Sequence, residues 1–520
     1  MLILITIIIL FLSALTLLLL RLFNPDFRFS WLFATTGAFL AWLSVFFWQF
    51  DMPLVLILPS WQPTSLFTDS PVFLADQLSW PYAFSLATLG LGILLTAVSR
   101  EDFPSSPAWA GTLTLSGIGI LAVLADNPLT LVLTWTAIDL TELITLLGSV
   151  QKKELRSSSV ISFSTRILGS AFLLWAGLVS ASEGSSLNFV AAPKEAGIYM
   201  LIAAGLRLGI FPTHLPFKTE AALSRGYGTM LRLTSAAASL ILLARIPYSS
   251  LQSPLIPYIF SLVALAALYS SWVWFQASKT LDARPYWLLG MGALSLIATL
   301  RANPAGSVAW GIALILGGGV LFLSSVQNIW LNRLLWVSLI AMSALPMTLT
   351  SIGWESKVST WWGFWFILLP AQILLLAGYI RHALRPDKVT YKAQNLFTRL
   401  IYPLGIIIML ISLILLGFWG WQGAASIGIW QLGLVTAILT ILLVWLRPRI
   451  RVLDPRQAHW LKPNTTTGGL DNIYSAIWSF YYFLRNLSRQ ISNILESDGG
   501  LLWSLLFIIL FASLLSGGIR

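Results

Sequence analysis

The sequence predicts an all-α polytopic membrane protein, and three observations support this fold class. Only 10% of the 520 residues are charged and 57% are hydrophobic, whereas a soluble domain carries about 25% charged residues. Apolar runs of about 18 to 25 residues, each long enough to cross a bilayer as a helix, recur along the chain. These runs lack the alternating polarity of barrel strands of about 10 residues. We therefore predict about 14 to 16 transmembrane helices.

The apolar runs, bounded by Gly, Pro and charged residues, give the predicted spans in chain order. They lie near 1–20, 31–50, 81–98, 108–125, 129–149, 159–180, 196–213, 228–246, 255–276, 285–300, 306–325, 331–351, 359–380, 400–418, 426–446 and 500–517. The first run has neither the basic start nor the small-residue cleavage site of a secretory signal, so we interpret it as a retained span.

Charge placement predicts the orientation of the spans. Lys and Arg concentrate in the loops that follow odd-numbered spans, and the even loops are poor in both. The long even loop at 51–80 holds Asp51, Asp69 and Asp76 without a basic residue. By the positive-inside rule the odd loops are cytoplasmic and the N-terminus is exoplasmic.

Two predicted spans contain helix breakers at membrane depth. Pro212 and Pro216 flank His214 in the seventh span, and Pro346 lies within the twelfth. A broken helix leaves backbone groups that line a cavity or an ion site, although a plain proline kink remains open for Pro346. The two spans are five apart, an odd number, so equivalent elements would be inverted. This spacing predicts two inverted five-helix repeats.

The predicted organisation has six segments. They are N-terminal spans with an exoplasmic loop (1–107), a first five-helix repeat (108–246), a second five-helix repeat (255–380), additional spans (381–446), a basic amphipathic interfacial segment (447–499) and a last span (500–520). In the fifth segment apolar residues recur at spacings of three and four, which predicts a helix along the cytoplasmic interface. A solvated amphipathic linker packed on the protein's own loops remains the alternative.

Ionisable residues at membrane depth are costly and mark candidate functional sites. Asp139 and Glu142 lie three apart in the fifth span and share one helical face. The next three spans carry Arg166, Arg207 and Arg232. These five residues predict a buried, mutually compensated cluster that serves as a proton or ion path, or else a structural knot of ion pairs that fixes helix register. His214 and Glu355, the latter at a span edge, are further path candidates.

Composition excludes several other sites. The chain has no Cys and three His residues, so disulfides, iron–sulfur clusters and Cys-based zinc sites are excluded. No GxxxxGK or GxGxxG motif is present. We expect no metal, no cofactor and no catalytic residue in this chain. The net charge of +11 resides in short loops between spans, which favours a membrane over nucleic acid.

Several stretches between about 80 and 350 resemble the antiporter-like membrane subunits of respiratory complex I, of NDH-type complexes and of multi-subunit cation/proton antiporters. The motifs are similar in order and spacing. They are TWTAIDLTELITLLG for the fifth helix, GLRLGIFPTHLPFKTEAA for the seventh, GTMLRLTSAAASLILLAR for the eighth, and KTLDARPYWLLGMG for the next cytoplasmic loop and helix. The resemblance implies a divergent member of this family.

The positions where the family carries its mid-plane ionisable groups hold other residues in this sequence. By the resemblance they fall on Thr136, Arg207 and Leu231, and near Gly318 and Gly353. Asp139 lies one turn beyond Thr136 and substitutes for the family's acid, and Glu355 is the acid nearest to Gly353. The sequence thus combines a charge-bearing first half with an apolar second half.

The resemblance implies a subunit of a complex I-like, NDH-type or antiporter assembly. Such a subunit takes part in proton or cation translocation or, since ionisable positions are lost, acts mainly in scaffolding and coupling. Its partners would be other hydrophobic membrane subunits in an energy-transducing membrane, either a bacterial plasma membrane or a thylakoid. If the assembly is an NADH/quinone-type oxidoreductase, this chain is a non-redox subunit. The alternative is a stand-alone secondary transporter or channel for a small solute.

Overall fold

A computed structural model describes residues 1–24, 27, 29–59, 70–100, 104–149, 153–184, 188–211, 223–356, 364–385, 389–390 and 395–446. The described residues form fifteen helices. In chain order they are α1 (Leu2–Phe23), α2 (Ser30–Asp51), α3 (Trp80–Thr96), α4 (Ser106–Leu124), α5 (Pro128–Ser149), α6 (Lys153–Ser182), α7 (Lys194–Arg207), α8 (Tyr227–Ala244), α9 (Ile256–Gln276), α10 (Arg284–Leu300), α11 (Pro304–Leu323), α12 (Ile329–Ala341), α13 (Trp365–Ala383), α14 (Leu396–Trp419) and α15 (Trp430–Leu446).

Eleven of the described helices are long and apolar enough to cross a membrane. The other four, α7, α10, α12 and α15, have 17 residues or fewer and coincide with predicted spans. The protein is therefore an integral multi-pass membrane protein, and the predicted all-α polytopic class is confirmed. The predicted interfacial segment at 447–499 and the last span at 500–517 lie outside the described residues.

The twelfth predicted span, 331–351, is broken around Pro346, as the broken-helix prediction requires, and is not merely kinked. Helix α12 ends at Ala341, residues 342–350 form turns, and a 3₁₀ turn covers Ser351–Trp354. Pro346 lies in the non-helical stretch, where its ring and missing N–H prevent helical hydrogen bonding. Ala344 and Met347 adopt a φ of 57°, which L-residues adopt only under strong constraint.

The non-helical stretch after α12 is held by helices α14 and α15 and by the loop between them. The Met347 amide donates to the Ser426 carbonyl (3.0 Å), and the Thr436 hydroxyl donates to the Ser343 carbonyl (3.4 Å). Gly433 lies directly against the Ala344 carbonyl, where a side chain would overlap it. These contacts satisfy backbone groups that a broken helix exposes at membrane depth.

The loop at 51–80 contains a β-hairpin that the sequence analysis did not predict. Strands β1 (Leu54–Ile57) and β2 (Val72–Ala75) pair antiparallel, with Leu54 opposite Ala75. A second pair, β3 (Val326–Gln327) and β4 (Val389–Thr390), is parallel. A short turn joins the hairpin to α3, and in this turn the Asp76 carboxylate accepts hydrogen bonds from the backbone amides of Leu78 and Ser79.

The centre of the bundle is formed by α3, α8 and α11, which are buried over most or all of their length, whereas α1 and α2 expose much of their apolar surface. Small residues allow the central helices to approach closely. Gly119 of α4 lies against Thr234 of α8, and Gly311 of α11 lies against Tyr82 of α3. Helix α11 also contains a π-helical turn at Ala313–Gly317.

Candidate functional site

The candidate site is a network of five charged residues between helices α5, α6, α7 and α8. Each member is at least 93% buried. The members, called the charge network below, are Asp139, Glu142, Arg166, Arg207 and Arg232. Helix α5 packs on α6 and α8, and α7 packs on both of those helices, so the four helices direct these side chains into one volume.

Asp139 and Arg207 form a bidentate ion pair. Arg207 Nη1 donates to Asp139 Oδ2 at 2.5 Å and Nη2 donates to Oδ1 at 2.8 Å. The guanidinium also lies 4.2 Å from the ring centroid of Trp135, one turn before Asp139 on the same helix. The Trp135 indole donates to the Ala238 carbonyl at 2.9 Å, which ties α5 to α8. The bidentate Asp139 carboxylate and the face of the Trp135 ring together hold the Arg207 guanidinium in place.

Glu142 joins two further arginines to the network. One carboxylate oxygen accepts from Arg166 Nη1 and the other accepts from Arg232 Nη1. Arg166 Nη1 also lies 3.5 Å from Asp139 Oδ1, so the two acids share one cation. All five charges are connected, and a change in one alters the field at the others.

A small cavity adjoins the network on its arginine side. Its volume is about 40 Å³, and its lining includes the three arginines together with Ser162 and Ser235. This volume holds about one to three water molecules. Charged groups and hydroxyls around such a cavity supply the hydrogen bonds that ordered water needs.

The sequence analysis missed Ser162 and Ser235. Helical spacing gives the signal that finds them, because Ser162 lies four residues before Arg166 and Ser235 lies three after Arg232. Each serine thus occupies the same helical face as its arginine. Both are buried.

The structure also explains why Asp139 belongs to the network and Thr136 does not. Thr136 is exposed and its hydroxyl bonds back to the Val132 carbonyl of its own helix. Trp135, Asp139 and Glu142 form a buried stripe at spacings of four and three. An acid at position 136 would point away from Arg207.

The remaining predicted site residues do not join the charge network. Glu355 is exposed and follows the 3₁₀ turn after α12. Pro346 lies in the non-helical stretch before that turn. Pro212, His214 and Pro216 lie outside the described residues. Among the residues that the structure does describe, no group of three or more His, Asp or Glu side chains is arranged to hold a metal ion.

A second buried ion pair lies at the end of the bundle next to the β-hairpin. Arg245 Nη1 donates to Asp126, and Arg245 Nη2 lies 3.5 Å from Asp76 Oδ1. The Asn188 amide donates to the other Asp126 oxygen at 3.0 Å. Burial raises the pKa of Asp126 although the charge of Arg245 acts in the opposite direction. Arg245 falls at the end of the predicted eighth span, 228–246, and a basic residue at the end of an apolar span is the sequence signal for this pair.

Comparison with known proteins identifies the fold. No protein-family model and no curated protein sequence matches the chain. A chain of the Mrp complex from Dietzia sp. DQ12-45-1b aligns with all of this chain at a TM-score of 0.71 and 14% identity. This chain has the fold of that Mrp subunit. It covers 63% of the Mrp chain's length.

The Mrp-complex fold also occurs in a respiratory complex. A chain of the membrane-bound sulfane sulfur reductase, an archaeal respiratory membrane complex, aligns with 98% of this chain at a TM-score of 0.60 and 14% identity, and 99% of that chain is covered. Both solved structures are membrane complexes. The resemblance predicted from the sequence is thereby confirmed at the level of the fold.

Proposed function

We propose that the chain is a membrane subunit of a multi-subunit antiporter or complex I-type assembly. In this proposal the charge network couples proton or cation movement to neighbouring subunits, and the second half of the chain acts mainly as a scaffold. The observation that carries the proposal is the buried, continuous network of two acids and three arginines in a chain with the Mrp-complex fold.

The network suits a two-state electrostatic switch. Asp139 is bidentate to Arg207 and lies 3.5 Å from Arg166, so a small movement transfers it from one cation to the other. The guanidinium groups supply positive charge beside the carboxylates and favour their charged form. A proton that reaches the network through cavity water is accepted by a carboxylate, which weakens one ion pair and strengthens the competing one. A charge on a neighbouring subunit biases the same equilibrium.

The scaffold part of the proposal is supported by two glycines in the second half. Gly318 and Gly353 lie near the positions at which the resemblance places ionisable groups. A Cβ built on either glycine lies 2.5 Å from the indole nitrogen of a tryptophan, Trp287 for Gly318 and Trp310 for Gly353. The tryptophans occupy the space that a lysine or glutamate side chain would need. This half therefore offers packed aromatic surface where the first half offers charge.

The predicted organisation and location complete the proposal. The segments 108–246 and 255–380 are the two inverted repeats, and the N-terminus is exoplasmic. The partners are other hydrophobic membrane subunits of the same assembly. The chain resides in an energy-transducing membrane, a bacterial plasma membrane or a thylakoid.

The assembly is tested by purification from the native membrane in mild detergent, followed by mass spectrometry of the co-migrating proteins. We expect several other hydrophobic subunits at fixed stoichiometry. Recovery of the chain alone or as a homodimer would contradict the proposal and favour a stand-alone transporter or channel.

The coupling role is tested by Asp139→Asn, assayed for proton flux in vesicles with wild-type protein in parallel. Asparagine keeps the shape and one acceptor for Arg207, so the assembly is expected to persist while flux falls. The matched control is Glu195→Gln, which removes an exposed acid whose partner is Lys194. Equal flux in wild type and Asp139→Asn would leave the network only a structural role.

A further inference from the structure

Two arginines come close together at the bundle end that the charge pattern predicts to be cytoplasmic. Arg100 directly follows the last turn of α3, and Arg225 directly precedes α8. Both are half-buried. Burial and the nearby charge of Arg225 lower the pKa of Arg100 to about 10. Two neighbouring like charges repel each other, and their repulsion is strongest where water is partly excluded.

Backbone contacts hold the two guanidinia in place. Arg225 Nη1 donates to the Phe322 carbonyl at 2.7 Å and to the Ser324 carbonyl at 3.2 Å, at the C-terminal end of α11. The Arg100 guanidinium lies against Gly226, where any side chain would overlap it. Arg100 makes one long hydrogen bond, from Nη2 to the Ile93 carbonyl at 3.5 Å. Most of its five N–H donors therefore remain available.

No carboxylate of the described residues forms an ion pair with Arg100 or Arg225. This distinguishes them from the arginines of the charge network and from Arg245, each of which contacts an acid. The Tyr402 hydroxyl, which lies nearby, already accepts a hydrogen bond from the Ser325 amide at 2.8 Å. Among the described residues, the two guanidinium charges thus have no compensating acid.

We propose that Arg100 and Arg225 form a binding site for a phosphate group, supplied by the headgroup of an anionic lipid. Guanidinium groups match phosphate oxygens in charge and in the direction of their donors. Basic pockets between transmembrane helices on the cytoplasmic side bind anionic headgroups. The site lies where the ends of α3, α8 and α11 meet, at a depth that a headgroup reaches. It stands independently of the function proposed above.

The test uses the purified full-length protein in detergent and compares three added probes: phosphatidylglycerol, phosphatidylcholine and inorganic phosphate. Thermal unfolding is measured for wild type, for Arg100→Gln and for a matched control, Arg333→Gln. Arg333 is exposed and lies 5.1 Å from the Trp330 ring centroid in the first turn of α12. Its replacement removes the same charge from the same predicted side of the membrane.

We expect phosphatidylglycerol to raise the melting temperature of wild type and of Arg333→Gln, and to raise that of Arg100→Gln by less than half as much. Phosphatidylcholine should leave all three unchanged. An equal rise with inorganic phosphate would assign the site to free phosphate and overturn the lipid as its source. Equal rises in all three proteins, or no rise in wild type with either phosphate source, would overturn the site.

Native mass spectrometry of wild type provides a second measurement that does not depend on the folding of a variant. One retained phosphatidylglycerol per chain, against none for phosphatidylcholine, is the expected result. Retention of neither lipid, or of both equally, contradicts a headgroup site. Arg100→Lys keeps the charge but not the planar fork, so we expect its retention to lie between wild type and Arg100→Gln.

Discussion

Arg207 donates hydrogen bonds to both carboxylate oxygens of Asp139 in the interior of the bundle, with donor–acceptor distances of 2.5 and 2.8 Å. The two residues lie on α7 and α5, so this pair links two helices inside the bundle. A buried pair of this kind contributes less as a pair than the penalty that appears when one partner is removed. This asymmetry is measurable.

Removal of both partners is expected to destabilise the protein by less than the sum of the two single removals. Arg207→Gln and Asp139→Asn should each lower the free energy of unfolding by about 3 kcal/mol, because each leaves a buried charge without its main partner. The double variant should lose less than the sum, by about 1 to 3 kcal/mol. Denaturant unfolding in detergent gives all four values. Strict additivity would contradict a coupled pair.

Replacement by methionine should destabilise the protein strongly at one buried arginine, Arg245, and very little at another, Arg301. Arg245→Met leaves Asp126 buried without its guanidinium and should cost about 3 to 5 kcal/mol. Arg301 has no acid partner among the described residues and lies 4.7 Å from the Trp365 ring centroid. Its burial lowers its pKa to about 10, a sign that the charge is poorly solvated. Arg301→Met should therefore change stability by less than about 1 kcal/mol. The variant no longer has a buried charge with its desolvation penalty, and this gain offsets the loss of the contact with the Trp365 ring.

Thermal unfolding of the two methionine variants, side by side, checks this contrast. An Arg301→Met variant as unstable as Arg245→Met would show that Arg301 has a strong partner in the protein. Phe366, which follows Trp365 in the chain and is exposed, offers a position for a control substitution that should leave stability unchanged.

Gly433→Ala is expected to destabilise the junction between α15 and the non-helical stretch after α12. The new methyl group would overlap the Ala344 carbonyl, which is backbone and cannot rotate away. Overpacking of this kind costs about 1 to 3 kcal/mol. The matched control is Gly177→Ala in α6, where the nearest atom is 3.7 Å away. It should be neutral or stabilising by up to about 1 kcal/mol, and equal losses in the two variants would contradict the close contact.

Helix positions and the charge network were largely accessible to prediction. Apolar length locates the helices because the bilayer sets a fixed requirement, and the spacing of Asp139 and Glu142 places both acids on one face. Once the three arginines are buried beside two acids, ion pairs with those acids are the main way to compensate their charges. A role of these ion pairs in proton conduction stays a prediction.

Other features depend on contacts that sequence patterns do not encode. The hairpin of β1 and β2 uses runs of four residues, too short to distinguish from a loop. The stretch after α12 is held by the loop that follows α14 and by α15, and no local sequence pattern encodes these contacts. The closeness of Arg100 and Arg225 follows from the meeting of helix ends 125 positions apart in numbering. Neither residue has an unusual local pattern.

The contacts that α15 and the loop before it make with the stretch after α12 have a consequence for truncated variants of the protein. A shortened version ending after α13 would retain both predicted repeats but lose Ser426 and Thr436, whose contacts cover the Met347 amide and the Ser343 carbonyl. Those groups would then face hydrocarbon without partners. The two predicted repeats are therefore not expected to form a separable minimal module, because the second one makes contacts with α15 and with the loop before it.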